Sequence, residues 1–192
     1  EAVALVAAAA RPIGAETVAL EEAAGRVLAR PVVARIESPR TDVSAMDGFA
    51  VREADLASFP ARLRVVGESF AGAGWDGAIG PGECARIFTG APVPAGADRV
   101  VIQENVVRES EVAVIAGHPG AAIHIRRRGG DFAAGDTLLA AGRLLGPRAI
   151  VAAAAADLAE VEVHSRPRAW ILNTGDELAE PGMAAARGDA IP

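Results

Sequence analysis

The chain has 192 residues, a formal net charge of −6 and a pI near 5.1, a balance that excludes a broad nucleic-acid-binding surface. Hydrophobic residues make up 51% and charged residues 23%, which excludes a disordered chain, and an aromatic share of 4% leaves the core to Ala, Val, Leu and Ile. The absence of Lys excludes Schiff-base chemistry and a lysine phosphate anchor within this chain.

In chain order, residues 2–10 read as an Ala-rich helix stopped at "RPIG". "EAVALVAAAARP" lacks a basic n-region, and the longest apolar run, residues 149–156, is too short to span a bilayer. A cytoplasmic protein without membrane contact is therefore expected. "ETVALEEAAGRVLARPVVA" predicts a short helix ending near Gly25, then an extended piece as far as Pro39. "VREADLASF" predicts one or two helical turns. From about 62 to 126 the pattern has period two, in "RLRVV", "ECARIF", "DRVVIQENVV", "EVAVIA" and "AAIHI", with Gly and Pro clusters between. Cys84 sits in this alternation and reads as a core residue in a reducing compartment. His118, His124 and His164 have no metal-ligand spacing.

After residue 133 the character changes. "AGDTLLAAGRLL" predicts a short hairpin, "GPRAIVAAAAADL" a helix with Pro147 in its first turn, and "EVEVH" and "RAWILN" strands, the second suited to a buried parallel sheet. About twenty residues follow it, too few for a crossover and a further strand, so the chain reads as a piece of something longer. The expected fold class is mixed α+β and multi-domain. It has an N-terminal helix (1–12), a small discontinuous α/β domain (13–41 and 133–166), a β-rich domain inserted into it (42–132), and the incomplete start of a further α/β domain (167–192).

Four loop segments gather polar groups. In "SAMDGFAV" (44–51), Asp47–Gly48 is a strong hairpin corner, yet Asp47 also presents a carboxylate beside Ser44. In "TGAPVPAGAD" (89–98), Thr89 follows a strand and the stiff loop exposes backbone N–H groups, Gly90 included; the alternative is a rigid connection. In "RRRGGD" (126–131), arginines including Arg128 can hold an anion, with Asp131 offsetting charge or binding metal; the alternative is a solvated edge strand. In "NTGDEL" (173–178), Thr174 and Gly175 can present a hydroxyl and N–H groups to phosphate, and Asp176 or Glu177 can reach Mg²⁺. There the alternative is a helix N-cap at Thr174 or Asp176.

Together and in this order, "SAMDGFAV", "RIFTGAPVPAGADRVVIQE", "IRRRGGDFAAGDTLLAAGRLLGP" and "LNTGDELAEPG" resemble the molybdopterin molybdenumtransferases of the MoeA/gephyrin type. The resemblance runs from about residue 13 to the end. It implies molybdenum cofactor biosynthesis: molybdate and adenylylated molybdopterin as substrates, AMP released, Mg²⁺ assisting. It also implies a homodimer, made largely by the first domain, whose cleft lies between the β-rich domain of one subunit and the α/β domain of the other. The molybdopterin adenylyltransferase is a further candidate partner.

By motif, Asp47, Thr89, Asp131 and Glu177 match functional positions of that cleft and are the catalytic candidates. Ser44, Gly90, Arg128, Thr174 and Gly175 are the cofactor-binding candidates, and Asp47, Asp176 and Glu177 the Mg²⁺ candidates. Gly130 stands where the family often has Glu, and Phe49 where it has Tyr. The family's later "GGxSxG" segment, its Asp and Lys cluster and its C-terminal β domain do not occur in this sequence, so the chain alone is expected to be inactive. The competing readings are a scaffold module of the gephyrin type and a small β-rich dimerisation domain without catalysis.

Overall fold

The computed structural model describes residues 1–11, 13–186, 188 and 191. They form mostly β structure with few helices, in two compact units: Glu1–Glu16 with His164–Pro192, and Thr17–Val163.

The larger unit contains three hydrophobic clusters in two constructions. The first is built around helix α2 (Pro147–Ala155). Pro147 occupies the first turn, where its missing N–H leaves no gap, and Gly146 is the N-cap. Ala149, Ala153 and Ala156 recur at helical spacing and are buried, so the backbone approaches its neighbours closely. They pack with Leu28, Val32, Leu145, Val161 and Val163. Strand β1 (Ala15–Ala19) pairs with β12 (Glu160–His164), and β2 (Val32–Val33) pairs antiparallel with β11 (Thr137–Leu139). The helix expected before Gly25 is replaced by β1 and a single 3₁₀ turn at Leu20–Glu22. The β1 ladder, and the Leu20 N–H bond to the Ala159 carbonyl at 2.8 Å, take the backbone groups that a helix would have used. The expected 134–145 hairpin does not form: β11 pairs with β2, and Leu144 bridges to Val27.

The second construction is a six-stranded sheet in the order β7-β4-β6-β5-β9-β8. Its strands are β4 (Gly48–Val51), β5 (Ala61–Ser69), β6 (Glu83–Ile87), β7 (Arg99–Ile102), β8 (Val106–Glu109) and β9 (Val112–Ile115). All neighbours are antiparallel except β5 and β6. Period two places Phe49, Val51, Leu63, Val65, Cys84, Val101, Ala113 and Ile115 in one cluster, and Ala50, Ala85, Ile87 and Val100 in another. Both faces are thus covered around the inner strands. The Gly-rich β5–β6 crossover has a packing reason. A Cβ on Gly67 or Gly77 would stand 2.3 or 2.1 Å from the Trp75 ring, so both glycines make room for that indole. "AAIHI" yields only the two-residue strand β10 (Ile125–Arg126), which pairs with β3 (Val43–Ser44).

In the smaller unit, helix α1 (Ala2–Ala9) forms where the Ala-rich run predicts it and buries none of its residues. "RAWILN" is not a strand. Trp170, Ile171 and Leu172 are 94, 87 and 88% exposed, and no neighbouring strand among the described residues pairs with them, so the apolar run has no sheet to enter.

Candidate functional site

Strand β3 is the hub. On one side it pairs with β10, Ser44 opposite Ile125 and Val43 opposite Arg126. On the other, the Ser44 N–H donates to the Ala91 carbonyl at 2.9 Å, the Gly90 N–H to the Ser44 carbonyl at 2.8 Å, and the Val93 N–H to the Asp42 carbonyl at 2.9 Å. Three of the four segments singled out in the sequence thus meet along one short strand.

Asp47 follows β3 and precedes β4, but it is not the corner of a hairpin. β3 and β4 do not pair with each other, and neither Asp47 nor Gly48 has positive φ. Gly48 is a glycine for another reason: a Cβ there would stand 2.0 Å from the Val101 carbonyl oxygen, because β4 and β7 approach so closely. Ser44, which is buried, shapes the approach to Asp47; its Oγ donates to the Met46 carbonyl at 2.6 Å.

The Asp47 carboxylate meets Thr89 directly. Thr89 donates its backbone N–H and its hydroxyl to the same oxygen, Oδ1, at 2.7 and 2.8 Å. These two bonds, in that order, with the nearby Arg86 charge, hold the Asp47 carboxyl below its ordinary range. Oδ2 has no hydrogen-bond partner among the described residues, so the pair presents one anchored and one open carboxylate oxygen. The Gln103 N–H donates to the Asp47 carbonyl at 3.0 Å.

The arginine run is not a continuous strand. β10 ends at Arg126 and a turn follows, with the Gly130 N–H donating to the Arg127 carbonyl at 2.9 Å. Each arginine meets its own acid. Arg126 donates to both oxygens of Asp131 at 2.8 and 2.7 Å, Arg127 to Asp42, and Arg128 to Glu37. Asp131 also accepts from Ser38 Oγ at 3.1 Å; Arg126 first, then Ser38, hold its carboxyl below the usual value. Asp42 is lowered by the Arg128 backbone N–H and then by Arg127. The 126–131 turn is therefore a charge-paired hook fastened to residues 37–42.

The fourth segment belongs to the smaller unit. No helix begins at Thr174 or Asp176; residues 176–177 are a turn, and a Gly-Pro-rich stretch follows. The N-cap alternative has no helix to cap. Glu177 folds back over Gly175, its carboxylate 2.5–2.6 Å from where a Cβ on Gly175 would lie. Asn173, Thr174, Gly175, Leu178, Ala179 and Glu180 line a surface cleft.

Sequence reasoning passed over Arg86 and Gln103, which hold the Gly48 and Asp47 carbonyls respectively, and Glu37, Ser38 and Asp42, which fasten the arginine hook. Arg86 carried a signal. In "ECARIF" it shares the parity of buried Cys84, so a cation stands where alternation calls for an apolar side chain.

A family model described as the MoeA N-terminal region (domain I and II) matches residues 1–156. The chain belongs to the MoeA N-terminal family. Its relatives include molybdopterin molybdenumtransferase of Nostoc sp., 41% identical over 167 residues, covering 85% of this chain and 38% of the relative. Molybdopterin molybdenumtransferase 2 of Mycobacterium tuberculosis is 41% identical over 184 residues, covering 94% of this chain and 45% of the relative. A solved molybdopterin biosynthesis MoeA protein from Pyrococcus horikoshii OT3 superposes with a TM-score of 0.82 at 33% identity, covering 88% of this chain and 46% of that one. The chain thus spans less than half the length of these MoeA relatives.

Proposed function

We propose that this chain supplies the N-terminal share of a molybdopterin molybdenumtransferase, which uses molybdate and adenylylated molybdopterin and releases AMP. The supporting observation is the convergence of Asp47, Thr89 and the Asp131 hook on β3, with one Asp47 oxygen anchored by Thr89 and the other open. A scaffold role requires no such arrangement.

In this reading Thr89 orients Asp47, and Asp47 holds a water or a hard cation beside the phosphoanhydride of the substrate. The Arg126–Asp131 pair keeps the neighbouring hook rigid. Among the described residues no group of three His, Cys, Asp or Glu side chains converges, so these residues offer no closed metal cage. Asp47 does suit Mg²⁺ as one ligand among waters and substrate phosphates, the usual mode for that ion. Bound there, Mg²⁺ would neutralise charge on the phosphates. Asp176 and Glu177 are the further candidates for holding it, with Ser44, Gly90, Arg128, Thr174 and Gly175 for binding substrate.

We assign residues 13–41 and 133–166 to a dimerising domain, 42–132 to the β-rich wall of the cleft, and 167–192 to the beginning of an α/β pterin-binding domain. The working form is then a cytoplasmic homodimer, supplied with substrate by the adenylyltransferase. Among the described residues no helix is long and apolar enough to cross a membrane.

The test is AMP release from adenylylated molybdopterin with molybdate, by a protein of full family length carrying this chain and by the 192-residue chain alone. Turnover by the former and none by the latter is expected. No turnover by the former would refute the reading, and turnover by the latter would refute the partial-site account.

A further inference from the structure

We propose that Arg86 is the positioning residue of the site, a side chain that fixes the Asp47–Thr89 pair without itself meeting substrate. Arg86 lies on β6 directly opposite Phe49 of β4. Its guanidinium stands over the Phe49 ring at 5.2 Å and over the Phe88 ring at 4.7 Å. Nη1 donates to the Gly48 carbonyl at 3.0 Å, and Nη2 to Gln103 Oε1 at 2.7 Å. Gln103 in turn donates its backbone N–H to the Asp47 carbonyl at 3.0 Å. The two carbonyls that follow the Asp47 side chain are therefore both tied to Arg86, one directly and one through Gln103.

The other half of the pair is tied as well. Phe88 immediately precedes Thr89, and its ring is held between Arg86 and Phe70, which stacks on it at 4.7 Å and 14°. One side chain thus braces the residue after Asp47, the residue before Thr89 and the side chain of Gln103, whose backbone N–H holds the Asp47 carbonyl. Only an arginine does this. The task needs two donors at fixed separation and a planar face for two rings, whereas lysine supplies a point charge. The charge of Arg86 also favours the ionised form of Asp47, behind the two Thr89 bonds.

This inference rests on Asp47 being a cleft carboxylate, but its structural half is testable separately. The Asp47 carboxyl is titrated by NMR in the 192-residue chain as wild type, R86K and R86Q. AMP release is measured for the same variants at full family length. Both R86Q and R86K should move the Asp47 titration up towards the ordinary carboxylate value. Turnover should fall on the order of 10²-fold in kcat with KM unchanged, the result of misplacing a reacting group by about 1 Å. A wild-type titration in R86K would mean that charge alone matters and would overturn the proposal. So would an R86Q chain that merely melts lower with the Asp47 titration unmoved. R86K keeps the charge and the aliphatic stem, so it tests the fork even where R86Q fails to fold. If the titrations shift as expected while D47N turns over at the wild-type rate, the positioning role stands and the functional reading falls.

Discussion

Asp42, Asp47 and Asp131 each have a carboxyl held below the ordinary value of 3.8 by hydrogen bonds made in the folded state. The sign of the linkage follows. As pH falls, the unfolded chain takes up these protons first, so the stabilisation is present above 3.8 and is lost as pH drops through the lower folded values. Asp131→Asn should lower the melting temperature modestly at pH 7, because the Arg126 pair is exposed and screened. It should also shrink the fall in melting temperature between pH 7 and pH 3; an unchanged fall would show that Asp131 carries no such linkage. Cys84 titrates in the opposite direction. Burial pushes its thiol up to about 12, so the reactive thiolate is scarce at neutral pH. A thiol reagent should label Cys84 in the denatured chain and leave the native chain almost unlabelled over the same time.

Between elements, β4 lies close against β7 beside the site. Gly48→Ala drives a Cβ into the Val101 carbonyl, a backbone atom that cannot rotate away. The expected loss is about 1–3 kcal/mol, the usual range for overpacking, read as a lower urea midpoint with an unchanged slope. A wild-type midpoint would mean that the strands part freely. Gly48 also shows where sequence reading reaches its limit. Asp-Gly is written alike for a hairpin corner and for two backbones in close approach, and only the partner strand tells them apart. Alternation in "ECARIF" and "DRVVIQ" was legible because each face of the sheet selects one parity. The helix at Pro147 was legible because its proline, its small buried face and its length agree. The missing helix before Gly25 and the unpaired "RAWILN" were not legible, since long-range backbone partners decide both. The meeting of Asp47 with Thr89 lay beyond local pattern too: they are 42 positions apart, and β3 brings them together.

At the scale of the molecule, the larger unit joins an α2-centred cluster to a sheet covered on both faces, and the β3 hub joins three of the four motif-bearing segments. The proposed homodimer should show in light scattering as twice the chain mass at tens of micromolar, roughly the concentration at which specific interfaces are occupied; a monomer there would contradict it. The proposed function turns on whether Asp47 is an architectural bend or a working carboxylate. The most direct measurement pairs melting temperature with AMP release for Asp47→Asn, on one preparation of the protein of full family length. Asn keeps an oxygen for the two Thr89 donors, so the account predicts a melting temperature close to wild type. It also predicts a rate lower by roughly 10²–10⁴, the usual loss for a general base or its equivalent. An Asn variant that melts as wild type and releases AMP at the wild-type rate would contradict it.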